Sequence, residues 1–333
     1  MTGPRVTGPR VTGPRVTGPS LAVLPTPLVD APRLADALGL PSLLVKRDDL
    51  TGFAVAGNKA RTLGPLLAEA QALRADVLVT GGTPGSNFVQ AAAAAAAYAG
   101  MRCVLVLAGP PVPRDCHPNL AAATAWGAEV RWTGDADRAS VDRALPEVAA
   151  ELAAAGATPY VSPRGGASAA GTEGFRLAVD EVLAQLPPGD RPVVVVAAGA
   201  GGTLAGLVAG LVARGRPLRV VGASVSRPAD ALREQVLRLA GEVADRHGEP
   251  RPVDGDVEIV DARGPGHGIA SPEGDLVTAT ALRTEGLVLD PVYTAKALAA
   301  LPAVAAGGPA LFWHTGGLLD AVAGLLTAAR GAA

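Results

Sequence analysis

The chain contains few cysteines and few aromatic residues, and it has no excess of charge of either sign. Only two of its 333 residues are cysteine, aromatic residues make up 3%, and 29 basic residues nearly balance 31 acidic ones. Two cysteines cannot form a disulfide framework, and twelve residues between Cys103 and Cys116 do not match a zinc-binding spacing. The net charge of −2 gives no electrostatic reason to bind nucleic acid or an anionic membrane. We therefore expect a cytoplasmic protein with no metal and with neither a nucleic-acid nor a membrane partner.

The N-terminus differs in composition from the rest of the chain. Residues 2–19 repeat the unit Thr-Gly-Pro-Arg-Val and contain no apolar segment of the kind found in secretory signals. Glycine and proline at this density cannot build a packed element. The sequence predicts that residues 1–19 form a disordered repeat tail.

One uncharged stretch, Val193–Ala213, has the length of a membrane span but not its uniform character. Val193–Val196 is a β-branched run typical of a strand buried on both faces. Gly199–Thr203 is rich in glycine and predicts a turn, and Leu204–Ala213 then reads as a helix. Strand, glycine loop and helix describe this stretch better than a membrane helix does.

The same alternation of strands and helices continues along the chain. Further strand-like runs occupy residues 77–80, 103–107 and 219–223, and helical segments occupy residues 87–99, 119–126, 137–155, 172–186 and 231–247. This alternation predicts an α/β fold with mostly parallel open sheets flanked by helices. Ligands of such sheets bind at the carboxyl ends of the strands.

Two loops have the composition of a cofactor site. Gly199-Ala200-Gly201-Gly202-Thr203 lacks the third glycine of a dinucleotide fingerprint, which leaves a phosphate-binding cup or a tight packing turn. Lys59 follows Gly57-Asn58 at the predicted start of a helix. A helix N-terminus and the neighbouring Arg61 would lower the pKa of its amine, and a neutral amine forms a Schiff base with an aldehyde. A solvated surface lysine is the alternative reading of this residue.

Two further loops add polar groups. Ser86 and Asn87 stand where a helix N-cap is expected, so they cap the helix, offer hydrogen bonds to a substrate carboxylate, or do both. His314-Thr315-Gly316-Gly317 opens the last helix. An amine, a phosphate cup, a carboxylate-sized helix start and a hydroxyl together indicate a site for pyridoxal 5'-phosphate.

Six motifs in the same order closely resemble the D-cysteine desulfhydrase and 1-aminocyclopropane-1-carboxylate deaminase family. They are Lys46-Arg47-Asp48-Asp49-Leu50-Thr51-Gly52, Gly57-Asn58-Lys59-Ala60-Arg61, Ser86-Asn87, Gly201-Gly202-Thr203, Asp290-Pro291-Val292-Tyr293-Thr294 and His314-Thr315-Gly316-Gly317. The resemblance runs from about residue 24 to the C-terminus. It implies a two-domain, tryptophan synthase β-like (fold type II) enzyme that uses pyridoxal 5'-phosphate.

The resemblance also implies which residues bind the cofactor. Lys59, next to Asn58, would form the Schiff base and later move the Cα proton. Asn87 would hydrogen-bond the phenolic oxygen, and Thr315 would face the pyridine nitrogen with Thr294 close by. The cofactor phosphate would be held by Gly199, Ala200, Gly201, Gly202 and Thr203.

The substrate would be held by Ser86, Tyr293 and residues around them. Ser86 would meet the substrate carboxylate or assist proton transfer, and Tyr293 would pack on the ring or reach the substrate. Because the hydroxyl of Thr315 cannot supply a counter-charge, the pyridine nitrogen is expected to stay unprotonated. Such a site favours fast expulsion of a β-substituent over transamination. Asp48 and Asp49 are interpreted as a loop-capping pair.

This chain departs from the family pattern around the substrate. Gly85 replaces a Gln, Phe88 a His or Gln, Gln90 an Arg, Thr62 a Lys and His267 a Tyr. The changes at Gly85 and Phe88 should enlarge the pocket and make it less polar, so we expect an amino acid other than D-cysteine as substrate. His267 is a candidate acid or base, with a hydrogen-bonding or structural role as alternatives.

The resemblance gives the expected organisation and function. We expect a small α/β domain at residues 57–170, inserted in a large domain formed by residues 20–56 and 171–333, and a homodimer. The predicted activity is α,β-elimination with deamination of a small amino acid. Alternatives are a β-replacement synthase, which a more apolar pocket would favour by excluding water, and a cofactor-binding protein without catalysis.

Overall fold

Ten strands and eleven helices alternate along residues 20–331, the part of the chain that the computed structural model describes. The predicted tail, residues 1–19, lies outside the described residues. The strands are β1 (Leu28–Asp30), β2 (Leu43–Arg47), β3 (Val77–Gly82), β4 (Arg102–Leu107), β5 (Glu129–Trp132), β6 (Pro159–Val161), β7 (Val193–Ala198), β8 (Val220–Ser224), β9 (Glu258–Asp261) and β10 (Ala310–His314).

The helices connect successive strands in nearly every case, as parallel pairing requires. They are α1 (Pro32–Leu38), α2 (Lys59–Ala72), α3 (Asn87–Tyr98), α4 (Pro118–Ala125), α5 (Ala139–Ala154), α6 (Ala169–Gln185), α7 (Gly202–Ala213), α8 (Ala229–His247), α9 (Pro272–Glu285), α10 (Thr294–Ala305) and α11 (Leu318–Gly331).

The strands form two separate sheets. One has six strands in the order β1-β2-β10-β7-β8-β9 and the other has four in the order β5-β4-β3-β6. All pairs are parallel except β1 with β2. The predicted fold class, mostly parallel open sheets flanked by helices, is confirmed.

The predicted elements lie within a few residues of the observed ones. The β-branched run 193–196 is the middle of β7, which is buried along its whole length, and the helix expected at 204–213 is α7, two residues longer. None of the helices between residues 20 and 331 is long and apolar enough to cross a bilayer. The strands β1, β2, β5, β6 and β9, three to five residues each, were missed because so few residues leave no clear period.

Helices cover both faces of each sheet. In the six-stranded sheet, α6, α7 and α8 pack on one face and α1, α9 and α10 on the other. In the four-stranded sheet, α2, α3 and α4 pack on one face and α5 on the other. The alanine-rich face of α3 brings this helix close to the sheet, since Ala91, Ala92 and Ala93 are fully buried.

A network of buried charged side chains joins the two sheets and the helices that pack on them. Arg61 on α2 donates to both oxygens of Asp48, at 2.8 and 2.9 Å, and to Glu181 on α6. Lys46 on β2 also pairs with Glu181, and the indole nitrogen of Trp313 on β10 donates to Asp48 at 2.8 Å. The two cations lower the pKa of Glu181 to about 2 even though burial acts to raise it.

This network corrects the interpretation of Asp48 and Asp49 as a loop-capping pair. Asp48 is fully buried and is the partner of Arg61, while Asp49 pairs with Arg47 at 2.7 Å. Neither side chain caps the single helical turn that begins at Asp48. The two neighbouring carboxylates have different partners because successive side chains of a helical turn point in different directions.

We expect Arg61→Met to destabilise the protein strongly. Removing the guanidinium leaves Asp48 buried without its cation, a type of change that costs about 3–5 kcal/mol. Arg143→Met is the matched control, because Arg143 is exposed and its ion pair with Asp135 lies at the surface. The urea midpoint of unfolding should fall clearly for Arg61→Met and change little for Arg143→Met. Equal midpoints in the two variants would show that the buried charged network does not hold the two sheets together.

Candidate active site

A cavity of about 770 Å³, open to solvent, lies where the carboxyl ends of β3, β7 and β10 converge. The residues around it come from loops that are distant in sequence. They are Ala56, Asn58, Lys59, Thr62, Ser86, Asn87, Phe88, Gly165, Gly166, Ala197, Ala198, Gly199, Ala200, Gly201, Gly202, Thr203, Leu204, Tyr293, Thr315 and Gly317. No carboxylate is among them, and Lys59 is the one charged side chain in this lining.

Lys59 is held in place by the residue before it. The backbone N–H of Asn58 donates to the Thr315 carbonyl at 2.9 Å, and its side-chain amide donates to the Thr203 hydroxyl at 3.1 Å. Gly57 makes this approach possible, since a Cβ at Gly57 would lie 2.5 Å from the same Thr315 oxygen. Lys59 then begins α2, as expected, and is fixed relative to two other loops of the cavity.

The amine of Lys59 is easier to deprotonate than that of an ordinary lysine. Burial lowers its pKa to about 8, while the negative charge of Asp290 acts in the opposite direction. The direction of the shift agrees with the prediction from sequence, but its main cause is burial, and the predicted contribution of Arg61 is wrong. Arg61 has no part in it, because its guanidinium points away into the network with Asp48 and Glu181.

The glycine loop after β7 offers backbone N–H groups to an anion. Gly201 precedes α7 with φ +93°, a conformation that other residues rarely adopt, and Gly202 is the first residue of the helix. The N–H groups of a first helical turn have no partner within the helix and carry a partial positive charge. Of the two readings of this loop, the phosphate cup and the packing turn, the position at the cavity wall favours the cup.

Ser86 and Asn87 form the opposite wall at the start of α3. The Ser86 hydroxyl caps the helix by accepting from the Phe88 N–H at 3.3 Å. Asn87 is the first helical residue, and both residues line the cavity. Capping and exposure to the cavity therefore occur together in this pair.

Tyr293 and Thr315 lie on the remaining sides. A Cβ at Gly199 would come within 3.0 Å of the Tyr293 ring, so that glycine makes room for the ring. Burial raises the pKa of Tyr293 to about 12, which keeps its hydroxyl protonated at neutral pH. Thr315 faces the cavity from the loop after β10.

Three predicted site residues, Thr294, Gly85 and His267, do not line this cavity. The hydroxyl of Thr294 is buried and donates to Asp290 at 2.7 Å, so it supports that carboxylate and does not contact a ligand. The space beside Gly85 is occupied by the His117 ring, because a Cβ at Gly85 would lie 2.7 Å from that ring. The expected enlargement at Gly85 is therefore wrong, since His117 occupies the space that a longer side chain would use.

Phe88 and His267 take up different positions from each other. Phe88 is 2% exposed and packs beside Gly166 and Thr62, so it closes the cavity wall with an apolar ring. His267 lines an adjoining cavity, with its ring 6.1 Å from that of Tyr293. Burial and repulsion from nearby cations lower the pKa of His267 to about 4. The imidazole is thus neutral at pH 7, and its Nδ1 atom is buried without a hydrogen-bond partner.

Asp290 belongs to one of the motifs found in the sequence, but no role was predicted for it. It is fully buried, and it accepts from the backbone N–H groups of Val292, Tyr293 and Thr294 at 2.7–3.0 Å. Burial nevertheless raises its pKa. Its position behind Tyr293, with an electrostatic effect on Lys59, could have been inferred only from its place in the motif that contains Tyr293.

The cavity fits pyridoxal 5'-phosphate. A buried lysine of lowered pKa can bind the aldehyde, the start of α7 can bind the phosphate, and Asn87 and Thr315 provide polar groups for the ring between them. Gly166 lets its loop pack closely against the cavity wall, since a Cβ there would lie 2.4 Å from Thr62 and 2.8 Å from Phe88. Between residues 20 and 331, no group of three or more His, Cys, Asp or Glu side chains could hold a metal ion.

Fold and cavity together define a two-sheet pyridoxal-phosphate enzyme, and comparison with known proteins agrees. The model of the pyridoxal-phosphate dependent enzyme family matches residues 19–316, so the chain belongs to that family. The expected cofactor, fold and family resemblance are confirmed. The chain is an enzyme of the lyase and deaminase type within this family.

Individual relatives support the same grouping. D-cysteine desulfhydrase of Yersinia enterocolitica is 36% identical over 306 residues, which cover 88% of this chain and 91% of the relative. A crystal structure of an ACC deaminase homologue superposes with a TM-score of 0.86 at 34% identity, covering 93% and 95% of the two chains. A fungal L-serine ammonia-lyase from Rhizomucor miehei shares the fold, with a TM-score of 0.66 at 15% identity over 94% and 99% of the two chains.

The pKa of Lys59 predicts how cofactor capture depends on pH. In the apoenzyme the neutral amine fraction rises about tenfold per pH unit up to the pKa and then levels off. We expect the rate at which apoenzyme takes up pyridoxal phosphate, followed by absorbance, to rise from pH 6 and reach a plateau above about pH 8. A rate that keeps rising through pH 10 would indicate an ordinary, solvated lysine at this position.

Proposed function

We propose that the protein removes a β-substituent and the amino group from a small amino acid by α,β-elimination. The observation that carries the proposal is the position of Lys59, whose buried amine faces a cavity bounded by the glycine loop, the start of α3 and Tyr293. When bound, pyridoxal phosphate supplies the electron sink that makes the Cα–H bond of an amino acid breakable. Because no carboxylate lines the cavity, it suits a substrate that enters as an anion.

Each cavity residue then has a role in the proposed reaction. Lys59, once its amine is free, is the group that removes the Cα proton. Ser86 and the N–H groups at the start of α3 bind the substrate carboxylate, because a helix N-terminus attracts anions. Tyr293, protonated at neutral pH, can donate to the departing group, and Thr315 offers the ring nitrogen a neutral partner. A neutral partner disfavours transamination.

We propose that the substrate is not D-cysteine. Phe88 presents a buried apolar ring where relatives were expected to have a polar side chain, and Thr62 beside it carries no charge. His267, on the neighbouring cavity, is neutral at pH 7, so its imidazole can share a hydrogen bond with a substrate but adds no charge. These differences affect the part of the site that the side chain of a substrate would reach.

β-Replacement is the second candidate. The apolar ring of Phe88, which lines the cavity, would disfavour water beside it and allow another nucleophile to react instead. A protein that binds the cofactor without catalysis remains a third reading. The presence of Lys59, Ser86 and Tyr293 in one cavity argues against it.

The domain division and the assembly are part of the same proposal. The four strands of the smaller sheet lie within residues 77–161, which supports a small domain at 57–170 inserted in a large one at 20–56 and 171–333. We also propose a cytoplasmic homodimer. Exposed apolar side chains on α11, Val322 and Leu326 among them, support an interface on that helix. The mass in solution, measured by light scattering, tests the dimer.

The reaction is tested with a panel of D- and L-amino acids that carry β-leaving groups. We expect release of keto acid and ammonia in equal amounts from at least one of them, with D-cysteine a poor substrate. Retention of the amino group in a new amino acid, when a thiol or amine is added, would favour β-replacement. D-cysteine turnover as fast as that of the best panel member would overturn the proposed change of specificity.

Tyr293→Phe tests the assignment of the proton donor. The substitution keeps the ring that packs against Gly199 and removes only the hydroxyl. We expect kcat to fall by about a hundredfold or more for a poor leaving group and much less for a good one, because general acid catalysis helps poor leaving groups most. Tyr98→Phe, the same substitution at an exposed tyrosine at the end of α3, is the control. An equal loss for both leaving groups would place the role of Tyr293 in binding.

A further inference from the structure

A second cavity adjoins the one that contains Lys59. It has a volume of about 500 Å³ including its opening to solvent, and it shares Ser86, Gly165, Gly199, Ala200 and Tyr293 with the first. Lys59 does not line it. A substrate whose amino group reaches Lys59 would therefore extend its side chain past Ser86 and Tyr293 into this second cavity.

Three arginines converge on the second cavity from separate parts of the fold. Arg138 precedes α5, Arg164 follows β6 and Arg227 follows β8, so both sheets contribute to the cluster. All three are half-buried. The neutral imidazole of His267 lies beside them, and no carboxylate is among the lining residues of this cavity. Such a cleft concentrates a positive field on its interior.

The positive charge of this cluster is only partly balanced. Arg164 pairs with Asp142. For Arg138 and Arg227 the described part of the chain contains no ion pair and no side-chain hydrogen bond. Burial and repulsion from Arg164 and Arg138 lower the pKa of Arg227. Like charges held together without partners cost free energy, which an anionic ligand would recover.

We propose that Arg138, Arg164 and Arg227 bind an oxyanion carried by the β-substituent of the substrate. This inference deepens the proposed function and rests on it. The α-carboxylate is already served by Ser86 and the start of α3, and the cofactor phosphate by the glycine loop, both in the cavity that contains Lys59. The guanidinium groups line the second cavity, which the end of the substrate side chain would reach. Planar guanidinium groups suit phosphate and carboxylate equally.

The reaction would proceed with balanced bonds. The substrate loses its Cα proton and its Cβ–O bond, and the electron pair of that bond leaves with the oxyanion group. Water then converts the remaining unsaturated amine to a keto acid and ammonia. The arginines would bind the substrate first and stabilise the departing anion afterwards.

The test uses the enzyme loaded with pyridoxal phosphate and three β-substituted serines in both configurations. O-Phosphoserine and O-succinylserine end in a phosphate and a carboxylate, and O-acetylserine is the neutral comparison. We expect kcat/KM to be larger for at least one anionic substrate than for O-acetylserine. In Arg227→Gln and Arg138→Gln that ratio should fall by about ten- to a hundredfold, as expected when a charge-assisted hydrogen bond is lost. Arg143→Gln is the control. Arg143 is exposed and lies on α5, the helix that follows Arg138, so this variant should keep the wild-type ratio.

A binding measurement separates this inference from the proposed reaction. 2-Amino-3-phosphonopropionate cannot release its phosphonate by Cβ–O cleavage, so calorimetry gives its Kd without turnover, with 2-aminobutyrate as the neutral analogue. Arg227→Gln should weaken the phosphonate and leave 2-aminobutyrate unchanged. Equal weakening of both would assign the arginine to the α-carboxylate, and loss of bound cofactor would assign it to the cofactor phosphate. Either result overturns the inference.

The two proposals fail in different ways. Elimination from O-acetylserine at a rate equal to or above that from both anionic substrates would overturn the oxyanion site and leave elimination standing. Arginine-dependent binding of the phosphonate without keto acid from any substrate would support the oxyanion site and contradict elimination.

Discussion

The contact between Asn58 and the loops of Thr315 and Thr203 is the constraint on which the site depends. Through one backbone hydrogen bond and one side-chain hydrogen bond, it fixes the start of α2 against the loops that follow β10 and β7. Lys59 is the next residue, so its amine has a defined position opposite the glycine loop. A shift of either bond would move the amine relative to the phosphate cup, and positions of reacting groups matter at the scale of about 1 Å.

Buried charges support that contact from behind. Arg61, two residues after Lys59, is held by Asp48 and Glu181, which belong to other elements. A buried ion pair of this kind adds little stability compared with an apolar core of the same shape, but breaking it leaves an uncompensated charge. The network therefore restricts how α2 can sit. The amine that must be neutral and the guanidinium that must be charged lie two residues apart and point into different environments.

Much of this arrangement followed from the sequence, for identifiable reasons. β7 and α7 were predicted because four consecutive valines and an uncharged run flank a glycine loop, which is a local signal. Lys59 and Ser86 were recognised through motifs at strand ends. The role of Asp48 was not, because its partners Arg61 and Trp313 lie 13 and 265 residues away. The residues next to Asp48 in the sequence give no indication of such distant pairings.

The arginine cluster and the wall at Gly85 show the same limit. Arg138, Arg164 and Arg227 each look like ordinary surface charges in the sequence, and only the convergence of three loops makes them a group. At Gly85 the sequence predicted added space, whereas His117 fills it from a different helix start. Local patterns predicted the cofactor chemistry, and the shape and charge of the outer cavity required the folded chain.

The most direct test of the central claim is to locate the cofactor on the chain. The purified enzyme is loaded with pyridoxal phosphate, reduced with borohydride, digested and analysed by mass spectrometry. The account predicts one reduced pyridoxyl group per chain, attached to Lys59 and lost in Lys59→Ala. Attachment at Lys46 or Lys296, or no stable attachment in the wild type, would contradict it.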